Sequence, residues 1–301
     1  MRAASAARIG IVAGLAALVP VSAFGQPPAA SQASRHLFEY WFGPTLVFSG
    51  PDATISADYA VDFLNGTGSG RATQQLTLDT PRHLGVEGGI GVFPSRRFGL
   101  QARLNYVSED FAGTSGPYHV TLDYTSAQPP DYIPAQYHLD ASTDWQAPTG
   151  VSTLLTVSFE GAARWESGAR LSGSVSGGLA YFRAKGHLDS LAFTQYVLGG
   201  HSVLFSNTYA MSVSYGTVTA LGFDAGGGVA VNLAGPLDLL ADVRYFHAGR
   251  QTPEFRVSGF ADPTANPGNL SVQVVAAHMA PLTGSFDPSF ARIFFGVRIR
   301  S

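Results

Sequence analysis

The sequence predicts an all-β chain: a closed antiparallel transmembrane β-barrel, of eight strands, with long external loops. Three observations predict it. Stretches of period-two alternation recur along the chain, apolar on one face and polar or small on the other. The connections between them are alternately tight turns and segments of tens of residues. Charged residues make up only 13% of the 301, against roughly 25% in soluble domains, so much of the surface is expected to face something other than water. No run after residue 25 reaches the roughly 18 apolar residues of a helical span. A β structure in a bilayer must therefore close, because lipid offers no partner to an open edge.

Delivery is read from the N-terminus. Arg2 and Arg8 precede the apolar run Ile9 to Val21, and small residues follow at Val21-Ser22-Ala23 and Ala23-Phe24-Gly25. This is the pattern of a secretory signal peptide over 1–25, cut after Ala23 or Gly25. The run is short for a membrane anchor, and no Cys near the cut could carry a lipid. Residues 26–35 are a Pro/Ala/Ser-rich flexible lead, and 36–301 form one barrel domain. The chain has no cysteine; an oxidising compartment permits disulfides, but a closed barrel does not require them. A formal net charge of −3 gives no basic footprint for nucleic acid.

The strands follow in order. Phe38 to Phe48 puts Phe38, Tyr40, Phe42, Leu46 and Phe48 outward and Glu39, Trp41, Gly43 and Thr45 inward. Pro44 cannot donate to a ladder, which predicts a bulge or bend there. Leu84 to Phe93 faces Leu84, Val86, Ile90 and Val92 outward and Glu87 inward. The turn Pro94-Ser95-Arg96-Arg97 leads to Phe98 to Tyr106, with Gln101, Arg103 and Asn105 inward. Val151 to Trp165 carries Glu160 and Arg164 inward. After Glu166-Ser167-Gly168, Leu171 to Phe182 turns Ser172, Ser174 and Ser176 inward. Leu221 to Leu233 and Leu237 to Phe246 form a hairpin about Ala234-Gly235-Pro236, its polar face carrying Asp224, Asp238, Asp242 and Arg244. Arg292 to Arg300 closes the set. Each strand has about the ten residues a tilted strand needs to cross a bilayer.

Eight strands are thus joined by three tight turns and four long segments, alternately. Outer-membrane barrels have even strand numbers, short periplasmic turns and long external loops. Aromatics mark both ends of the outward rows: Phe48, Tyr106, Tyr181 and Tyr245 at the long-loop side, and Phe38, Tyr40, Phe98 and Trp165 at the short-turn side. Such girdles lie at the two membrane interfaces.

This architecture, with the strands Gly88-Gly89-Ile90-Gly91-Val92-Phe93 and Ile293-Phe294-Phe295-Gly296-Val297, resembles the eight-stranded outer-membrane barrels of the OmpA/opacity type, and more loosely the OmpW type, over about residues 36 to 301. The resemblance implies a bacterial outer membrane, contact with its lipid and lipopolysaccharide, and insertion by the barrel-assembly machinery. That machinery reads a closing Phe or Trp in the family. This chain ends Arg298-Ile299-Arg300-Ser301, so Phe295 would have to serve.

The inward charges are the candidate site. The acids are Glu39, Glu87, Glu160, Asp224 and Asp242; the bases are Arg103, Arg164, Arg244, Arg292 and Arg298. An eight-stranded barrel is just wide enough to be filled by its own side chains, and an unpaired buried charge costs several kcal/mol. A lumen charge network is therefore expected, and with it a structural or surface-exposed role. The alternative is a porin or channel for a small or hydrophobic solute. Enzyme chemistry is not expected: no His-acid-nucleophile set is indicated, His83, His119, His138, His187, His201, His247 and His278 show no metal-ligand spacing, and no cofactor is implied. The apolar runs Tyr118 to Tyr124, Leu191 to Leu198, His201 to Phe205 and Leu270 to Ala277 are expected to be strand extensions or small hairpins above the membrane, with Gly199-Gly200 as a turn. Recognition would reside in the loops, which name no external ligand.

Overall fold

The computed structural model describes residues 37–49, 52–64, 68–79, 83–128, 133–168, 170–199, 202–261, 272–278 and 282–301. The expected leader and lead, residues 1–35, lie outside them. The elements in chain order are β1 (Phe38–Ser49), β2 (Asp52–Ala60), β3 (Asp62–Leu64), β4 (Gly68–Asp79), β5 (His83–Val92), β6 (Phe98–Ser115), β7 (Tyr118–Gln128), β8 (Ile133–Thr143), β9 (Thr149–Ser167), β10 (Leu171–Gly199), β11 (Ser202–Ala234), β12 (Leu237–Ala248), β13 (Phe255–Phe260), α1 (Val272–His278), β14 (Thr283–Asp287) and β15 (Phe290–Arg300).

Eight of these strands pair antiparallel in an unbroken ring: β1 with β5, then β6, β9, β10, β11, β12, β15 and β1 again. The ring is a closed antiparallel barrel with no free edge. Its outer face is an apolar belt of exposed side chains, among them Phe42, Leu84, Leu104, Phe159, Leu179, Leu221 and Phe295. An apolar surface of this extent is stable against hydrocarbon and not against water. On β10 the outward row runs Leu171, Val175, Leu179, Tyr181 and then Arg183 and Lys185, which places the outer edge of the belt at Tyr181. The belt aromatics Phe38, Tyr40, Phe98, Tyr106 and Tyr181 are exposed, while Phe48, Trp165 and Tyr245 are half-buried.

The long connections are not loops. β10 and β11 run 29 and 33 residues, and at about 3.3 Å per residue either could cross a bilayer core roughly three times over. Above the ring they pair on to their tips. A second, external barrel is built there, in the order β14, β2, β4, β6, β9, β10, β11, β13. The bridge from Phe255 to Leu282 joins β13 to the start of β14. Its interior is apolar and filled, with Ile55, Leu76, Leu122, Leu191, Phe193, Met211 and Phe286 all buried.

Two irregularities convert one barrel into the other. On β11 the residues facing inward are even-numbered in the ring (Ala220, Asp224, Ala230) and odd-numbered above it (Tyr209, Met211, Val213, Tyr215). A register shift against β10 between Ala184 and Gly186 makes the change, since one extra residue exchanges the two faces. Higher on β10, between Leu188 and Leu191, a second shift is centred on Ser190, whose φ of 89° is left-handed. Trp145 Nε1 donates to the Ser190 carbonyl at 2.8 Å, holding the kink while Leu191–Thr194 all turn inside.

Two expectations are corrected. Pro44 causes no bulge: it sits opposite Val86 in an unshifted ladder to β5. Toward β15 the pairing keeps its register from Phe42 to Thr45, and the irregularity falls between Val47 and Ser49. Between Phe42 and Thr45, Gly43 and Pro44 have no partner on β15, so the missing donor is absorbed as a gap in one ladder. The stretch Leu270 to Ala277 is not a strand extension either. Val272–His278 is helical; residues 270–271 lie outside the described set, as do Gly200 and His201 of the expected β10–β11 turn.

Candidate functional site in the barrel lumen

The alternation of the ring strands sends the charged residues inward, and their pairing is set by register between strands. The central tier is built on three arginines. Arg103 on β6 lies 2.9 Å from Glu87 and 2.9 Å from Glu160. Arg244 on β12 lies 2.7 Å from Asp224 and 3.0 Å from Glu160. Arg292 on β15 lies 2.5 Å from Glu87 and 2.9 Å from Asp242. Asp242 also faces Arg244 at 3.5 Å and Arg103 at 3.8 Å, so it touches all three. Arg244 and Arg292 are 0% exposed.

Serines complete the tier. Ser158 and Ser176 donate to the Glu160 carboxylate at 2.8 and 2.6 Å, and Arg244 donates to Ser176 Oγ at 2.5 Å. Charge-assisted bonds of this kind offset the cost of burying Glu160. The small residues of β5 make the room: a Cβ at Gly89 would collide with the indole of Trp41, and Arg103 lies 4.7 Å above that ring.

A second tier sits at the short-turn end. Arg164 pairs with Glu39 and donates to the Arg96 carbonyl at 2.8 Å. Arg298 lies 3.5 Å from Glu39 and 2.7 Å from Asp238, and Arg300 lies 2.9 Å from Asp238. Between the tiers stands an apolar layer of Trp41, Ala230, Leu240 and Phe294. Glu87, Glu160, Asp224 and Asp242 outnumber the three central arginines by one, while Arg164, Arg298 and Arg300 outnumber Glu39 and Asp238 by one. The two tiers together are neutral.

Above the central tier three buried aromatics pack together. Phe246 stacks on Phe290 at 4.5 Å between centroids, and Phe182 meets both edge-on at 6.4 and 6.5 Å. Arg292 approaches Phe246 to 5.8 Å.

All ten residues singled out by the sequence lie in these tiers: Glu39, Arg164 and Arg298 below, and Glu87, Arg103, Glu160, Asp224, Asp242, Arg244 and Arg292 at the centre. Asp238 and Arg300 were not among them, although Asp238 shares the parity of Asp242 and Arg244 along β12, which is the signal that could have found it. The aromatic lid carried no such signal, because Phe182, Phe246 and Phe290 come from three distant segments.

The histidines lie elsewhere. His247 is on the outer face, 5.0 Å from Phe223 and 6.2 Å from Tyr245 between centroids. Its Nδ1 is 3.3 Å from the buried hydroxyl of Ser289, which donates to the Ala248 carbonyl at 3.0 Å. Asp287 accepts from the Ser289 N–H at 3.0 Å. His119 and His138 pair with Asp140 and Asp123 on the external hairpin of β7 and β8. Among the described residues, no group of three acids or histidines is placed to hold a metal ion.

No family model matches this chain, and no curated protein does. Solved structures do. OprG of Pseudomonas aeruginosa is 12% identical, with 88% of this chain and 95% of that one covered at a TM-score of 0.43. Neisserial surface protein A is 11% identical over 88% and 97% at 0.32. The outer-membrane protease OmpT of Escherichia coli is 6% identical over 90% and 99% at 0.37. The closed ring of eight strands, its apolar belt and its polar lumen are by themselves the architecture of a bacterial outer-membrane β-barrel.

Proposed function

We propose that this protein is a non-conducting outer-membrane barrel without catalytic function, whose working part is the external β-structure that it carries above the bilayer. One observation carries the reading: two layers of buried side chains stand across the lumen, the central charge tier with Arg244 and Arg292 fully buried, and the Phe182–Phe246–Phe290 cluster above it. Opening a path would separate at least Arg292 from Glu87 and Asp242, and each uncompensated buried charge costs several kcal/mol. The ring then acts as an anchor, with lipid and lipopolysaccharide around its belt. The 1–25 leader exports the chain, and the barrel-assembly machinery inserts it.

The channel reading finds less support. A cavity of about 480 Å³ lies in the external wall between β11 and residues 251–256, but Val218 and Pro253 share its lining with Ser214, Gln251, Glu254 and Arg256. That mixed lining, in the external wall rather than along the lumen, offers no path through the ring. Single-channel recording on the refolded full-length protein in a planar bilayer tests the proposal. Silence across a wide voltage range is expected, whereas steady conductance steps would overturn the closed lumen in favour of a channel.

A further inference from the structure

β8 is the outer strand of the β7–β8 hairpin, which β7 joins to β4 on the external barrel. Among the described residues it pairs only with β7, so one side of its backbone has no strand beside it. A sheet edge of this kind is a template for another strand unless something blocks it. Here nothing on the strand blocks it over Ala135–Thr143, since Pro134, which has no N–H to give, lies just outside that span.

The side chains along this edge complement themselves. On the core-side face Leu139 stands opposite Leu122, yet is 38% exposed because no strand follows β8. It is the one exposed large hydrophobic of the described external barrel; the others lie on the membrane ring or at its start. Tyr137, stacked on Tyr124 at 5.4 Å, and Ala141 flank it. On the opposite face His138 is 2.8 Å from Asp123, and Asp140 is 3.4 Å from His119.

Now pair β8 antiparallel with a second β8 about Leu139. Leu139 meets the partner's Leu139, and Tyr137 meets the partner's Ala141. His138 meets the partner's Asp140, and Asp140 the partner's His138. Each face then continues across the junction. The outer face becomes an alternating row from Asp123 through His138 to the partner's Asp140 and the partner's His119. A slip of two residues, which keeps the faces, sets His138 against the partner's His138 or Asp140 against the partner's Asp140. Like groups directly opposite are unfavourable, so a single register is selected.

Direction decides where the partner sits. β6 rises from the membrane beside β4, and β7 continues alongside β4 in the same sense. β8 therefore returns toward its own membrane. An antiparallel copy runs the other way and also toward its own membrane. We infer that β8 is a homophilic contact site, at which two copies in opposing membranes pair edge to edge through Leu139, His138 and Asp140, so that the protein joins one outer-membrane surface to another. This rests on the reading of the external structure as the working part.

The test uses full-length protein in phosphatidylcholine vesicles labelled with one of two fluorophores. Wild-type vesicles of the two colours are expected to co-cluster. His138→Glu sets a new carboxylate against the partner's Asp140, and Asp140→Lys sets a new ammonium against the partner's His138, so each variant alone should lose co-clustering at least tenfold. Mixing the two variants sets the new carboxylate opposite the new ammonium, keeps Asp140 opposite His138 at the other position, and should restore clustering. Because the chain has no cysteine, Leu139→Cys adds a single thiol at the dyad, where paired Cα atoms about 4.5–5.5 Å apart can close a disulfide. Oxidised dimers should then form in clustered vesicles and not in dispersed ones. Absence of wild-type clustering, clustering untouched by either charge variant, failure of the mixture to recover, or equal cross-linking in dispersed vesicles would each overturn the inference. Ion leakage from the same vesicles would overturn the closed lumen instead, leaving the clustering result to stand or fall by itself.

Discussion

The membrane ring and the external barrel share β6, β9, β10 and β11, yet they are inside-out copies of each other. In the ring, Leu179 and Leu221 face out while Glu160 and Asp224 face in. A few turns of pleat higher on the same strands, Leu188 and Met211 are buried while Arg183 and Lys185 face out. The strands did not change; the medium outside them did. In hydrocarbon the outer face must be apolar, and the narrow lumen is left to charges that must find one another. In water the ordinary arrangement returns, with an apolar interior driven together by burial. The switch costs little chain: β9 and β10 keep the same face inward and only change the residue types on it, while on β11 one extra residue opposite Ala184–Gly186 exchanges the faces.

The comparison can be broken at either end. Arg244→Ala would leave Asp224 buried without its cation and Glu160 with Arg103 alone, a loss of about 3–5 kcal/mol. It should lower the temperature at which the folded form converts to the extended one on a gel; an unchanged transition would mean that the charge tier does not hold the ring. Phe193→Ala removes a fully buried ring stacked on Tyr59 at 5.6 Å, a loss of about 3–5 kcal/mol in the external core. Proteolysis should then enter the external barrel while the ring stays protected. Loss of ring protection as well would mean that the two barrels unfold as one unit.

A smaller effect is expected from Leu179→Arg. Leu179 lies one outward step inside the belt edge at Tyr181, so the cost should fall between the about 2–4 kcal/mol of mid-bilayer and the about 0–1 kcal/mol of the interface, whereas Lys185, six residues along the same outward row, is already tolerated. Refolding into vesicles of known thickness would measure it. The smallest effect belongs to the exposed pair Asp58–Arg71 on the external barrel. Its hydrogen bond from Arg71 holds the Asp58 carboxyl below the usual carboxylate range. A depressed folded-state value stabilises above the unfolded value and is lost as pH falls below about 4. Arg71→Ala should therefore leave melting near neutral pH almost unchanged and flatten only the acid limb.

Much of this was legible in the sequence, and unevenly. The eight ring strands were found with their faces correct, because alternation under a lipid boundary is a strong local signal. In the connections, the strand extensions expected at Tyr118 to Tyr124, Leu191 to Leu198 and, from Ser202, His201 to Phe205 are present, but the sequence does not show that β10 and β11 run on unbroken. Tyr209, Met211, Val213 and Tyr215 alternate as cleanly as any ring strand, but the shift beneath them breaks the phase, and a window laid across the break averages the two halves away. Pro44 was given a bulge on propensity, while the ladder absorbed it by leaving two positions unpaired on one side. The ten lumen charges were named from parity. Asp238 shares that parity and was passed over.

From the sequence alone came an even barrel, its belt, the inward placement of its charges and the side on which its long segments lie, all of which follow from a two-residue period and from connection length. Tertiary structure decided the rest. Whether Arg292 meets Glu87 or Asp224, whether Phe182 reaches Phe290, and whether β8 is left with an open edge depend on the register between strands far apart in the chain. Register is a sum over whole ladders and their bulges, so no local pattern contains it.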